Sequence, residues 1–218
     1  MTNSEYHILS KELQSLVKSI PLNWGRVQNN KTDYKIDMFN CTTLDALEKE
    51  IKNLQNVDKN YFRRRWFLWR CSQVDEYLFY KENNVNKNPN RKDQSWDIVF
   101  NESSYFDVKG TVLPESFRED FIINDDSEKE LIKFYYNNQS KGVRYNIQNR
   151  LFIIHHSYKN TERSMYLRCH WALKEIAYNE FNNLISNSKV NLINHESAFA
   201  KCIFIIESKE NHFYYKII

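Results

Sequence analysis

Glycine and proline are both scarce, three of each in 218 residues. With so few chain breakers and 15% aromatic residues, the sequence is neither disordered nor fibrous. It has no CxxC pair. Its four cysteines (Cys41, Cys71, Cys169 and Cys202) are widely scattered, which argues against a disulfide framework and a structural zinc site and fits a reducing cytoplasm. No run approaches the ~20 apolar residues of a membrane span. The opening MTNSEYHILSKELQ carries charges where a secretory signal has its apolar core. The expectation is a soluble, cytoplasmic protein. A Gly-rich phosphate loop is missing as well, so nucleotide hydrolysis is not expected. Neither sign of charge dominates: 31 Lys and Arg against 28 Asp and Glu leave a net charge of +3. Any anionic partner must therefore be sought in where the cations cluster.

The length suits one α/β domain with a sizeable core, and no repeat or composition break divides it. Helical spacing runs over 4–19 until Pro21, and 32–39 alternates as a strand would. Thr42 with Asp45 suggests a capped helix over 43–55. A long helix follows from about Lys59 to Glu82, then a polar loop over 83–94. Beyond 114, helices are predicted over 127–138 and 171–185, and strands over 146–156, 164–169, 201–207 and 212–218. Residues 1–58 thus form an N-terminal helical and strand extension, 59–156 a central core, and 157–218 a helix and strands that complete the sheet.

The informative stretch is SWDIVFNESSYFDVKGTVLP, residues 95–114. Two β-branched and aromatic runs flank the turn formers NESS, which predicts a hairpin. Asp97 lies on the first strand, and Asp107 and Lys109 share one face of the second, since residues two apart project together. The triplet acid-x-Lys is common: Asp33, Glu50 and Glu207 head further copies. Asp107 alone has an acid on the preceding strand and another on a helix before that. This third acid is Glu76, on the stripe Phe62, Trp66, Trp69, Gln73, Glu76 and Tyr80, which is expected to pack on the sheet. A carboxylate on a packed stripe requires a basic partner or a metal.

The order Glu76 on a helix, Asp97 in WDIVF, then Asp107 and Lys109 in FDVKGT resembles the PD-(D/E)XK nuclease superfamily. Trp96 stands where the name-giving proline would be, and the likeness covers roughly 59–156. The resemblance implies a restriction-endonuclease-like fold, a mixed central β-sheet flanked by helices. It also implies Mg²⁺-dependent hydrolysis of phosphodiesters, with Mn²⁺ as a possible substitute and DNA favoured over RNA. Asp97, Asp107, the Val108 carbonyl and Glu76 would hold the metal, hard oxygen ligands suited to Mg²⁺. Lys109 would position or deprotonate the attacking water and stabilise charge in the transition state. A restriction or phage-defence endonuclease is the function implied, acting as a homodimer or with a partner subunit. The alternative is an inactive nucleic-acid-binding or assembly module with the same fold.

Cations that would meet a phosphate backbone are Arg63, Arg64, Arg65 and Arg70 on the long helix, and Lys141, Arg144 and Arg150 around Gln148 and Asn149. Gln148 is the residue expected to complete the site. The pairs His155-His156 and Cys169-His170 are expected to be structural, since adjacency does not supply nucleophile–base geometry.

Overall fold

A computed structural model describes residues 1–22, 32–82, 84–90, 93, 95–139 and 148–218. The chain divides into two compact units, Met1–Val74 and Asp75–Ile218.

The first unit is helical. α1 (Asn3–Leu16) starts at a capping box, in which Glu5 N–H donates to Thr2 Oγ1 and Thr2 N–H to Glu5 Oε2. Leu9, Leu13 and Leu16 form its buried stripe. α2 (Leu44–Ile51) is capped by Thr43, not Thr42, through the Ala46 N–H. α3 (Asn56–Tyr80) begins in this unit. The strand expected over 32–39 does not form. Residues 32–35 are a turn that leaves Tyr34 exposed, and Met38–Asn40 make a 3₁₀ turn started by Asp37. An Asp side chain that accepts from the N–H two residues on, here that of Phe39, competes with extended pairing, so alternation alone misleads. The extension therefore has no strand among its described residues.

The second unit holds a mixed seven-stranded sheet: β1 (Val85–Lys87), β2 (Ile98–Phe100), β3 (Ser104–Val112), β4 (Arg150–Ser157), β5 (Ile193–His195), β6 (Ala198–Lys209) and β7 (His212–Lys216). The order is β1-β2-β3-β4-β6-β5, with β7 also on β6. β1, β2 and β3 form an antiparallel meander, while β3, β4 and β6 are parallel. The helix between β3 and β4 is α4 (Asp125–Gln139), which supplies the crossover that parallel neighbours require. α5 (Thr161–Tyr166) and a 3₁₀ turn over Leu167–Cys169 occupy the segment expected as a strand over 164–169. Asn160 caps α5 through the Arg163 N–H, a helix start that the short apolar run concealed. α6 (Trp171–Ser186) follows.

One side of the sheet packs Leu131, Ile132, Tyr135 and Tyr136 of α4 on Phe152, Ile154, Cys202 and Phe204. The other side gathers Phe79, Phe100, Phe106, Tyr178 and Phe181, with Phe79 stacked on Tyr178 at 4.0 Å. On the outer edge of β6, Lys201–Ile203 lie between the stretches paired with β5 and β7. Glu128 of α4 fills that gap, accepting the Cys202 N–H at 2.7 Å and Lys201 Nζ at 2.8 Å. A buried N–H left by the ladder thereby finds an acceptor.

Candidate functional site

β3 outruns β2, and the site lies on the overhang. The ladder between them ends at Ile98 opposite Phe106, closed by the Asp97 N–H on the Phe106 carbonyl at 2.8 Å. Backbone groups two residues apart on a strand point to the same edge. The Val108 and Gly110 groups therefore face the side that β2 has vacated. Asp97 Oδ2 accepts the Val108 N–H at 2.8 Å, and the Arg168 guanidinium donates to the Gly110 carbonyl at 2.9 Å. Two side chains replace the missing strand.

Asp107 and Lys109 project together, as their spacing predicts. Lys109 Nζ lies 2.5 Å from Asp107 Oδ1, and Arg150 Nε lies 3.5 Å from Asp107 Oδ2. Register explains the second contact, because Asp107 pairs with Arg150 across β3 and β4. Asp107 is 1% exposed and Arg150 4%. The Arg150 guanidinium also lies 4.9 Å from the Tyr136 ring centre. Arg150 is thus a buried partner of Asp107, whereas the sequence pattern suggested a phosphate contact at the surface.

Burial pushes the Asp97 carboxyl up to about 7, and the negative charges of Asp107 and Glu76 push in the same direction against the pull of Lys109 and the Val108 N–H. Glu76 is therefore close enough to be felt at Asp97. Its carboxylate is paired with Lys87 of β1, Nζ to Oε2 2.6 Å. That is the basic partner the packed stripe required, and the sequence hid it because β1 is only three residues long within a segment read as a polar loop. The stripe itself divides. Trp66 donates its indole N–H to the Cys41 carbonyl at 2.7 Å and Trp69 meets Phe39 edge-on, so these two rings pack within the first unit, and Glu76 and Tyr80 both meet Lys87 of β1 in the second.

The other expected contacts are spread out. Arg63 forms a two-point pair with Glu48 at 2.6 Å, Arg65 pairs with Asp33 at 2.8 Å, and Arg70 binds the Thr42 carbonyl and lies over Trp66 and Trp69. Burial pulls the Arg64 guanidinium down from its ordinary range. Asn149 is structural: its side chain donates to the Tyr105 carbonyl and accepts the Phe199 N–H, bridging β3 and β6 at the head of β4. Gln148 accepts the Tyr136 hydroxyl at its carbonyl and, among the described residues, keeps a buried side-chain oxygen without a partner. Lys141 and Arg144 lie outside the described residues. The rival triplet at Glu207 is explained by Arg163, which grips both carboxylate oxygens at 2.7 and 2.8 Å, and by the Ser157 hydroxyl. His155 is buried with Nδ1 at the Thr111 carbonyl, and burial with the nearby Lys174 and Arg168 charges keeps it neutral.

Beneath the overhang lies a polar cluster that no motif announced. Lys174 Nζ is 2.5 Å from Asp75 Oδ1, Tyr178 donates to the same oxygen at 2.8 Å, and Lys174 also reaches the Arg168 carbonyl. Gly110 is what admits Arg168, since a Cβ there would sit 2.5 Å from its guanidinium nitrogen and 3.4 Å from Asp75 Oδ2.

No family model, curated protein or solved structure matches this chain.

Of the ligands that the resemblance implies, Asp97, Asp107 and Val108 come together on the overhang, while Glu76 is paired with Lys87. Among the described residues no three His, Cys, Asp or Glu side chains gather as a metal-holding group. All-oxygen donors with few protein ligands suit Mg²⁺, which retains waters and accepts substrate phosphate oxygens, and do not suit zinc. Burial first, and then the neighbouring acids Asp107 and Glu76, favour the uncharged form of the Asp97 carboxyl.

Proposed function

We propose that the chain is a metal-dependent nuclease that hydrolyses phosphodiesters of nucleic acid, DNA in preference to RNA, with Mg²⁺ or Mn²⁺ held by Asp97, Asp107 and the Val108 carbonyl. The observation that carries this reading is the meeting of Asp97, Asp107 and Lys109 on the β3 overhang, with the Glu76 charge within reach. The arrangement of helix, antiparallel meander, crossover helix and parallel strand supports a restriction-endonuclease-like fold.

A bound divalent ion would supply Lewis-acid polarisation of the phosphate and a more acidic water. The protein's own groups divide the remaining work. Lys109, half-exposed and anchored to Asp107, presents a cation to a phosphate oxygen and to the attacking water. Arg150 holds the second Asp107 oxygen from the buried side, so the carboxylate keeps one orientation. Asp97 is fixed by the Val108 N–H and remains able to hold a proton near neutrality. Glu76 lies close behind, tied to Lys87.

The second reading, a catalytically inactive nucleic-acid-binding or assembly module, is favoured by the Glu76–Lys87 pair and by the two-carboxylate donor set. Purified protein incubated with plasmid, linear duplex, single-stranded DNA and RNA, with and without Mg²⁺, separates the two. The nuclease reading expects Mg²⁺-dependent cleavage of at least one substrate that Asp107→Asn abolishes. Binding with no cleavage of any of them would leave the module.

A further inference from the structure

Two aromatic rings stand beside the acid pair. Trp96 and Tyr105 meet edge to face, with ring centres 5.0 Å apart at 76°. Tyr105 lies on β3 two residues before Asp107, so both side chains leave the same face of the strand about 7 Å apart. Trp96 directly precedes Asp97. Tyr105 thus shares a face with Asp107, and Trp96, one residue before Asp97, meets that ring edge to face.

Trp96 is partly buried, and Tyr105 is exposed outside the core. The hydrophobic side of this hairpin is the opposite face of β3, where Phe106 packs on Phe100 and Phe100 on Phe181. Tyr105 is 43% exposed, although a ring of this size is among the side chains a core takes up first. Its backbone lies opposite Val99 of β2, and its carbonyl accepts the Asn149 side chain. Among the described residues the hydroxyl makes a long 3.4 Å contact with the Glu102 carbonyl. The result is a fixed ring with an open surface. On the same face, four residues along, stands Lys109 with its side chain 32% exposed.

We propose that Trp96 and Tyr105 form a stacking platform for a nucleobase of a single-stranded nucleic acid, whose backbone passes along β3 to Lys109. This inference rests on the nuclease reading for the identity of the polymer and adds its strandedness. A π surface next to a cation matches a base joined to its phosphate, and such stacking tolerates any base. A base within a duplex already has stacked neighbours and reaches a protein ring only after being unstacked.

Fluorescence anisotropy of a labelled oligodeoxythymidine, in buffer free of divalent metal, tests the platform without requiring turnover. An abasic oligonucleotide of the same length and a duplex serve as the other arms. Tyr105→Ala and Trp96→Ala should each weaken binding of the thymidine strand by about five- to hundredfold and leave the abasic strand unaffected. Tyr105→Phe, which keeps the ring, should bind as the unaltered protein does, and circular dichroism confirms that each variant is folded. Equal binding of abasic and thymidine strands, unchanged binding by Tyr105→Ala, or duplex bound as tightly as single strand would overturn the proposal. The two readings fail separately. Cleavage that survives in Asp107→Asn defeats the nuclease site and leaves the anisotropy result standing, whereas unchanged anisotropy with cleavage lost in Asp107→Asn defeats only the platform.

Discussion

The Asp97 carboxylate accepts the Val108 backbone N–H at 2.8 Å, at the point where β3 continues and β2 has ended. One acid therefore closes a strand edge, near enough to the second for its charge to be felt. The same contact fixes the Val108 backbone at its N–H, and the carbonyl of that residue is the third oxygen of the proposed set.

Asp97 should make stability depend on pH. Its folded-state value of about 7 lies above the ordinary 3.8, so between these limits the folded chain binds more protons than the unfolded one. In metal-free protein, the contribution is most favourable at the acid end and is lost as pH rises toward 7. Asn keeps the Val108 hydrogen bond and cannot ionise. Urea denaturation across this range should show a fall in stability for the unaltered protein that Asp97→Asn lacks, and parallel profiles would contradict the assignment.

A divalent ion that binds only the folded site should raise the melting temperature. The gain is about 2.7 kcal/mol at a hundredfold excess over Kd. Mg²⁺ and Ca²⁺ should both produce a rise, and Asp107→Asn should remove it. A rise that persists in that variant places the ion elsewhere.

Substitutions at Asp107 and Lys109 should behave differently. Asp107→Ala leaves the buried Arg150 without its carboxylate, so a loss of about 3–5 kcal/mol in stability is expected along with activity. Asp107→Asn, nearly isosteric, is the cleaner test of chemistry. Lys109→Ala, at a half-exposed position, should lower kcat much more than it weakens substrate binding measured in Ca²⁺. An unchanged kcat removes its role.

Gly110→Ala should cost about 1–3 kcal/mol, since the new methyl group enters the space of a guanidinium that is itself buried and bound to the Gly110 carbonyl. Chemical denaturation of Gly110→Ala, Arg168→Met and the double variant should show strong non-additivity. Additive losses would mean that the two residues do not share the space.

Lys174→Met strands a fully buried Asp75, for an expected loss of about 3–5 kcal/mol, and a second change, Asp75→Leu, should recover much of it. Failure of the double change to recover stability would point to the Tyr178 hydroxyl as the group left unsatisfied.

Local pattern made much of this molecule legible. The hairpin of Asp97, Asp107 and Lys109 follows from period-two alternation around a polar turn, and α1, α4 and α6 follow from helical spacing. The segments that misled were short. Residues 32–39 alternate like a strand but contain Asp37, whose side chain binds its own backbone, and 164–169 is apolar but follows the Asn160 cap. β1 was invisible because three residues carry too little pattern, and with it went Lys87.

What the sequence by itself determined is the type of each long element and the face on which its acids and apolar residues lie, because both depend on spacing along one segment. What only the tertiary structure decided is the pairing of charges between segments: Glu76 with Lys87, Asp107 with Arg150, Asp75 with Lys174. Most of those partners lie far apart in sequence, and strand order and register bring them together. Asp97 and Asp107, alike in the hairpin motif, therefore stand in different surroundings: burial raises the Asp97 carboxyl to about 7, whereas Asp107 lies between Lys109 and Arg150.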